Sequence, residues 1–186
     1  MMTTSLAGHF LIAMPAMEDV HFRETVTYLC EHTERGALGV VVNRTMDVTM
    51  ESLFGQMDIA VSDPSVLARP VRYGGPVSGQ HGFVLHRSEG VWNSSLVVGR
   101  ELTLTTSRDI LEAAARGEGP SDWLLTLGYA GWGAGQLEEE MAANAWLTVA
   151  ADADVLFGTA PHALFDVALS RLGISRFALS SVAGHA

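Results

Sequence analysis

Short apolar runs separated by polar turns set the rhythm of the first two thirds of the chain. Phe10 to Met14 is one such run, closed by Pro15. Thr25-Val26-Thr27-Tyr28-Leu29-Cys30 is rich in β-branched and aromatic side chains, the composition of a strand. Leu38 to Val42 follows, and the two runs predict a hairpin through His32 to Gly36. The unbroken valines Val40, Val41 and Val42 predict a strand covered on both faces. Met50, Leu53, Phe54 and Met57 recur at helical spacing and predict a short helix over 49–57. Further strands are predicted over 71–73, 83–86, 96–98 and 102–105.

Helical patterns become clearer towards the end. Thr106 or Ser107 can cap a helix running through Asp109, Ile110, Leu111 and Ala113 to Ala115, stopped by Gly117. Asp122 to Tyr129 reads as a strand. The segment from Gly128 to Gly135 reads as a flexible turn, and Gln136 to Asn144 as a helix with acidic residues at its favourable end. Trp146 to Ala150 predicts a strand. Pro161 to Leu172 predicts a helix with proline in its first turn and Gly173 as its stop. The stretches at Ser62-Asp63-Pro64 and Gly117-Glu118-Gly119-Pro120 read as loops inside one domain spanning 1–186. Many strands with few intervening helices argue α+β over regular βαβ alternation.

Composition narrows the chemistry. The 11 basic residues are all arginine and face 21 acidic ones, for a formal net charge of −10. Without lysine there is no Schiff-base or Walker-A chemistry, and a net-acidic surface repels nucleic-acid phosphates. Cys30 is the only cysteine, so no intrachain disulfide forms, which fits a reducing compartment. The apolar run at Phe10 lacks a preceding basic residue and is a poor signal peptide, and no run reaches the length of a membrane span. The expectation is a cytoplasmic protein with no membrane contact.

Four constellations merit attention. Cys30 and His32, on one face of a regular strand, would lie roughly 6.6 Å apart, which allows a shared metal but is too far for a direct hydrogen bond; neither a Cys pair nor His-Glu-x-x-His is present, so a structural role is expected for the pair and no metal. The turn Gly74-Gly75-Pro76-Val77-Ser78-Gly79 is not a nucleophile elbow. It reads either as a tight turn between strands or as an anion-binding nest with His81 or His86 beside it. Asn43-Arg44 places an amide and a guanidinium where a buried strand emerges, suited to a carboxylate or phosphate or to a structural ion pair. Gly128-Tyr129-Ala130-Gly131-Trp132-Gly133-Ala134-Gly135-Gln136 interleaves four glycines with two amphipathic rings. Two readings stand for it: Trp132 exposed as a partner-binding anchor, or Trp132 filling the core.

The chain resembles the YqgE/AlgH family of bacterial proteins. The resemblance rests on Gly8-His9-Phe10-Leu11-Ile12-Ala13-Met14-Pro15, on Phe22 with Thr25 to His32, and on Gly36 to Arg44. Tyr73-Gly74-Gly75-Pro76-Val77, Gly82 to His86, and Gly128 to Trp132 with Gly135-Gln136-Leu137-Glu138 complete it in the same order. Thr45 replaces a proline usual in that family, and Leu164-Phe165 stands where its last helix often carries a tryptophan. The resemblance implies a single α+β domain with a bent, partly barrel-like mixed β-sheet surrounded by helices. It implies no catalytic residue and no cofactor. One branch of the family carries a transcriptional-regulator label.

Three functions are therefore weighed. The first is a non-enzymatic regulatory or protein-interaction module using Tyr129, Trp132, Gln136 and neighbouring His32. The second is a small-ligand binder or enzyme with a site near Asn43, Arg44, Gly74, Gly75 and His86. The third, direct DNA binding, is disfavoured by the charge, so a regulator would act indirectly through a protein or small-molecule partner.

Overall fold

The computed structural model describes residues 4–15 and 17–183. Strands β1 (His9–Ala13), β2 (Val26–Thr33) and β3 (Gly36–Val41) form an antiparallel meander. Helix α1 (Met50–Gln56) and a 3-10 turn (Pro64–Ala68) lead to β4 (Val71–Tyr73). Then come β5 (Val77–Arg87), β6 (Ser95–Val97), β7 (Leu102–Thr105) and α2 (Arg108–Ala115). The chain ends with β8 (Trp123–Gly133), α3 (Gln136–Ala142), β9 (Trp146–Ala150), α4 (Ala153–Gly158), α5 (Pro161–Ser170) and α6 (Arg176–Ala183). The strands make one curled half-barrel sheet in the order β6-β7-β5-β8-β3-β2-β1-β9, with β4 adding to β8 in parallel. That is the expected mixed, bent sheet in an α+β domain.

Three apolar clusters hold the sheet. On one face, Phe10, Ile12, Val26, Tyr28, Val40, Leu85 and Leu124 pack against α4, α5 and α6. At one end of the other face, Phe54 of α1 and Ile110 and Leu111 of α2 cover Val84, Leu125 and Leu127. At its other end, Leu137 of α3 packs with Leu11, Leu29, Trp132 and Trp146. The valines of β3 and the residue after it, Val42, are fully buried, as a strand covered on both sides requires. Thr49 caps α1 by accepting from the Ser52 N–H, where the helical spacing begins.

Two bulges break the alternation of sequence positions, and each corrects an expectation. Cys30 is an extra residue in β2, because Leu29 pairs with Gly39 while Glu31 pairs with the next residue, Leu38. Cys30 therefore lies in the cluster beneath α4–α6, whereas His32 points to the α3 side. The two do not share a face. The second break is Gly128 in β8, at φ +80°. Leu125 and Leu127 precede it on the α1–α2 face, and Ala130 and Trp132 follow on that same face of the sheet, beneath α3. The segment from Gly128 to Gly133 is thus part of a central strand and not a flexible turn. Its glycine is required by close approach: a Cβ on Gly128 would meet the Gly75 carbonyl oxygen at 2.3 Å.

Three elements lie beyond the sequence expectations: the 3-10 turn, α4 and α6. Asp63 caps the first through Ser65, and Asp152 caps α4 by accepting from the Asp154 and Val155 N–H groups. Ser107 occupies the cap position of α2 without capping it; its hydroxyl donates instead to Asp109.

Candidate functional site

Pairing across three strands brings His32, Ala37 and Trp132 side by side. The Leu6 N–H donates to His32 Nδ1 at 3.0 Å, which leaves the imidazole proton on Nε2, facing Glu138 Oε1. This hydrogen bond is the main cause holding the Glu138 carboxyl below the usual carboxylate range. Two residues on, Glu140 Oε1 accepts from both indoles, Trp132 Nε1 at 3.2 Å and Trp146 Nε1 at 2.9 Å, while Gln136 Nε2 donates to its Oε2 at 2.9 Å. The two indole rings meet edge to face at 6.0 Å, with Phe22 against both. His32, Trp132 and Gln136 therefore converge. Trp132 is only 7% exposed, however, so it fills the core and is not an exposed anchor. Tyr129 lies on the other face, edge-on to Phe83 at 5.4 Å.

Asn43 and Arg44 run beside the glycine turn through the backbone, where the Tyr73 N–H donates to the Arg44 carbonyl and the Val41 N–H to the Gly74 carbonyl. Asn43 Oδ1 accepts from the Val26 N–H at 2.8 Å, and its Nδ2 donates to the Glu24 carbonyl. Arg44 donates to the carbonyls of Val20, His21 and Arg23 at 2.7–2.8 Å, fastening the loop between β1 and β2. This is neither an ion pair nor a free anion receptor. The Gly74 N–H is spent on the Leu127 carbonyl, and a Cβ on Gly75 would meet the Tyr129 carbonyl carbon at 2.2 Å. The turn is a close crossing over β8, and its Gly74 N–H is not open to an anion.

His86 stands apart from them. It pairs with Trp123 of β8, about 13 Å along the strand from Leu127. Its Nδ1–H donates to the Arg87 carbonyl at 2.6 Å, so Nε2 accepts the Thr105 hydroxyl proton at 2.7 Å. Ser95 supplies the next hydroxyl, 2.9 Å from Thr105 Oγ1. Burial lowers the His86 pKa and favours the neutral ring. A hydroxyl on an imidazole has the geometry of a nucleophile and its base. Thr105, however, exposes none of its surface and presents nothing to a substrate. Among the described residues no group of three His, Cys, Asp or Glu side chains could hold a metal ion, and no helix is long and apolar enough to cross a membrane.

A hollow of small-molecule size lies elsewhere. Val77 pairs with Tyr129, and the next pair of these strands is Gly82 with Leu127, so Ser78 to His81 loop out of β5 as a wide bulge. Ser78 within it adopts φ +50°, unusual for a residue with a side chain. The bulge forms one wall of a groove of about 700 Å³ whose other walls are α1 and the start of α2. Leu53, Met57, Leu111, Leu125 and Leu127 make an apolar floor. Gln56, Ser78, Gln80, His81, Thr106 and Arg108 supply the polar rim. Of these, only the Ser78 turn and His81 carried a signal in the sequence.

The comparisons with known proteins concern the whole chain. The model of the AlgH-like family matches residues 10–176. The chain belongs to the AlgH-like family. A UPF0301 protein of Cupriavidus metallidurans is 52% identical over 182 residues, covering 98% of this chain and 96% of that one. A UPF0301 protein of Burkholderia cenocepacia is 54% identical over 184 residues, with 98% and 96% covered. The solution structure of the AlgH protein from Pseudomonas aeruginosa superposes with a TM-score of 0.81 at 44% identity, covering 97% of each chain. The crystal structure of protein DIP2367 from Corynebacterium diphtheriae shares the fold, with a TM-score of 0.71 at 21% identity over 92% of this chain and 89% of that one. The AlgH-like fold is thus established for this chain, and none of these relatives' names states a biochemical activity.

Proposed function

We propose that the protein is a non-enzymatic, cytoplasmic regulatory module that binds a small ligand in the groove between the β5 bulge, α1 and α2. The observation that carries this reading is the groove itself. Its volume of about 700 Å³ falls in the range of small-molecule sites, and it joins an apolar floor to a few polar groups. Thr105 lies under the lining of this groove with His86 behind it, and neither exposes more than 1% of its surface, which favours binding over catalysis.

Direct DNA contact is the weaker reading. Arg44, Arg69 and Arg72 are committed to backbone carbonyls. Arg87, Arg108, Arg116, Arg171 and Arg176 are paired with carboxylates. Each of these five guanidinium groups has a carboxylate beside it, and the formal net charge of −10 repels nucleic-acid phosphates. Regulation then acts through a ligand-sensitive contact with another protein.

Thermal unfolding in the presence of neutral, anionic and cationic small molecules tests the proposal, since a ligand binding only the folded state raises its stability. At least one class should raise the melting temperature of the wild type. Leu53→Trp, which fills the groove from a half-buried position on its floor, should abolish that rise while remaining folded. Equal shifts in both proteins would place binding elsewhere and overturn the reading.

A further inference from the structure

We propose that the groove takes a free single-chain amphiphile: an aliphatic tail on the floor of leucines and Met57, and one anionic head, carboxylate or phosphate, between His81 and Arg108. This inference rests on the groove being the ligand site and adds the chemical class of the ligand.

Charge makes the case. Acidic residues outnumber basic ones almost two to one in this chain, and carboxylates enter three other hollows. Glu18 and Glu24 line the one beside α6, Asp47 the one beside Asn43 and Arg44, and Glu31 the one beside Trp132. The groove under the β5 bulge contains none, while Arg108 and His81 both line it. A cationic head would meet the Arg108 guanidinium and no carboxylate among the groove's lining residues. A neutral head would leave the guanidinium unused.

Both rim groups are available to a ligand. His81 is exposed on the looped-out bulge. Arg108 is half exposed, and its bond to Glu112 at 2.8 Å is a surface pair within one helix, the kind that yields readily to a better acceptor. A guanidinium accepts carboxylate or phosphate oxygens in bidentate geometry, so one receptor serves either head. Asp109, next to Arg108, is turned away and satisfied by Ser107, Ile110 and Asn93. Below the rim, Met57 and Leu53 from α1 face Leu111, Leu125 and Leu127, which provides a hydrocarbon surface with an adaptable thioether at its edge.

Methyl-detected NMR titration of the full chain tests this, with decanoate, decyl phosphate, decanol and decyltrimethylammonium below their aggregation concentrations, and with vesicles of anionic phospholipid. Decanoate or decyl phosphate should shift the methyls of Leu53, Met57, Leu111, Leu125 and Leu127 in a saturable way. Arg108→Gln and His81→Gln, both at exposed sites, should each weaken that binding roughly tenfold, the loss of one charge-assisted hydrogen bond, and leave decanol unaffected. Decanol or decyltrimethylammonium binding in the groove as tightly as the anions would overturn the anionic class and leave the groove as a ligand site. Vesicles shifting these methyls while the free anions do not would overturn it in favour of a membrane surface. No probe shifting them would overturn both the class and the groove.

Discussion

His32 and Glu138 lie 106 positions apart in sequence, yet the imidazole Nε2–H of one points at the carboxylate of the other and ties β2 to the first turn of α3. The same ring is fixed from behind by the Leu6 N–H. Because His32 lowers the Glu138 pKa in the folded state, the folded protein holds that proton less readily than the unfolded chain. Stability from this contact is fully present above the ordinary glutamate value of 4.5 and is lost as pH falls through the lowered value. Glu138→Gln should therefore unfold at a lower urea midpoint than wild type at pH 7, and the two midpoints should approach each other on acidification. The difference will be small, because Glu138 is partly exposed. A gap that widened towards acid pH would contradict this assignment.

Gly75 and Gly79 share one turn-rich stretch and should respond oppositely to alanine. A Cβ on Gly75 runs into the β8 backbone at 2.2 Å, and its φ of +151° already disfavours a side chain. Gly79 has open space around it. Gly75→Ala should cost about 4 kcal/mol or more, or prevent folding, while Gly79→Ala should stay within about 0.5 kcal/mol of wild type. Chemical denaturation of both variants decides the matter.

Cys30 is sealed beneath α4–α6, and burial raises the pKa of its thiol well above the ordinary value. The reactive species is the thiolate. Alkylation in native buffer should therefore be negligible over hours and should follow the unfolding transition when urea is added. Rapid labelling of the native protein, followed by mass spectrometry, would show that the β2 bulge opens locally.

Arg72 is buried, and among the described residues no carboxylate pairs with it. Its one hydrogen bond is to the Val42 carbonyl at 2.7 Å, and its Nε has no partner among the described residues. Burial, reinforced by nearby Arg69, pulls its pKa down to about 10, the mark of a charge held at a cost. Arg72→Met keeps the volume and removes the charge, so it should be at least as stable as wild type. Arg72→Ala leaves a void and should lose about 2 kcal/mol. Denaturant midpoints of the two variants should thus fall on opposite sides of wild type or nearly so; a large loss in Arg72→Met would assign the guanidinium an essential structural role.

The sheet was legible wherever strand alternation was clean or wholly apolar, as in Phe10 to Ala13 and Val40 to Val42. It was also legible where a capping residue stood at the right offset, as Thr49 does for α1. Legibility failed at Cys30 and Gly128, where one extra residue changes which parity faces which core. That is why Trp132 reads equally well as surface or core until its strand is placed. Asn43 and Arg44 have the side chains of a receptor, but their donors close a loop formed by residues 20–26, a contact that spacing does not reveal. The groove was hidden for another reason. Its floor comes from residues near 55, 111 and 126, and each stretch alone looks like an ordinary half-buried element.

Gly128 also bears on which length changes this chain tolerates. It is a spacer in β8, belonging to neither face, and its left-handed backbone absorbs one position so that alternation resumes in phase after it. Shortening the strand by that residue alone leaves Leu127 and Trp132 facing as they do now. Adding one residue beside it would swing Trp132 under α5 and Tyr129 towards α3, mispairing half of the central strand with the wrong core. Along this strand, viable insertions and deletions are thus governed by a parity rule.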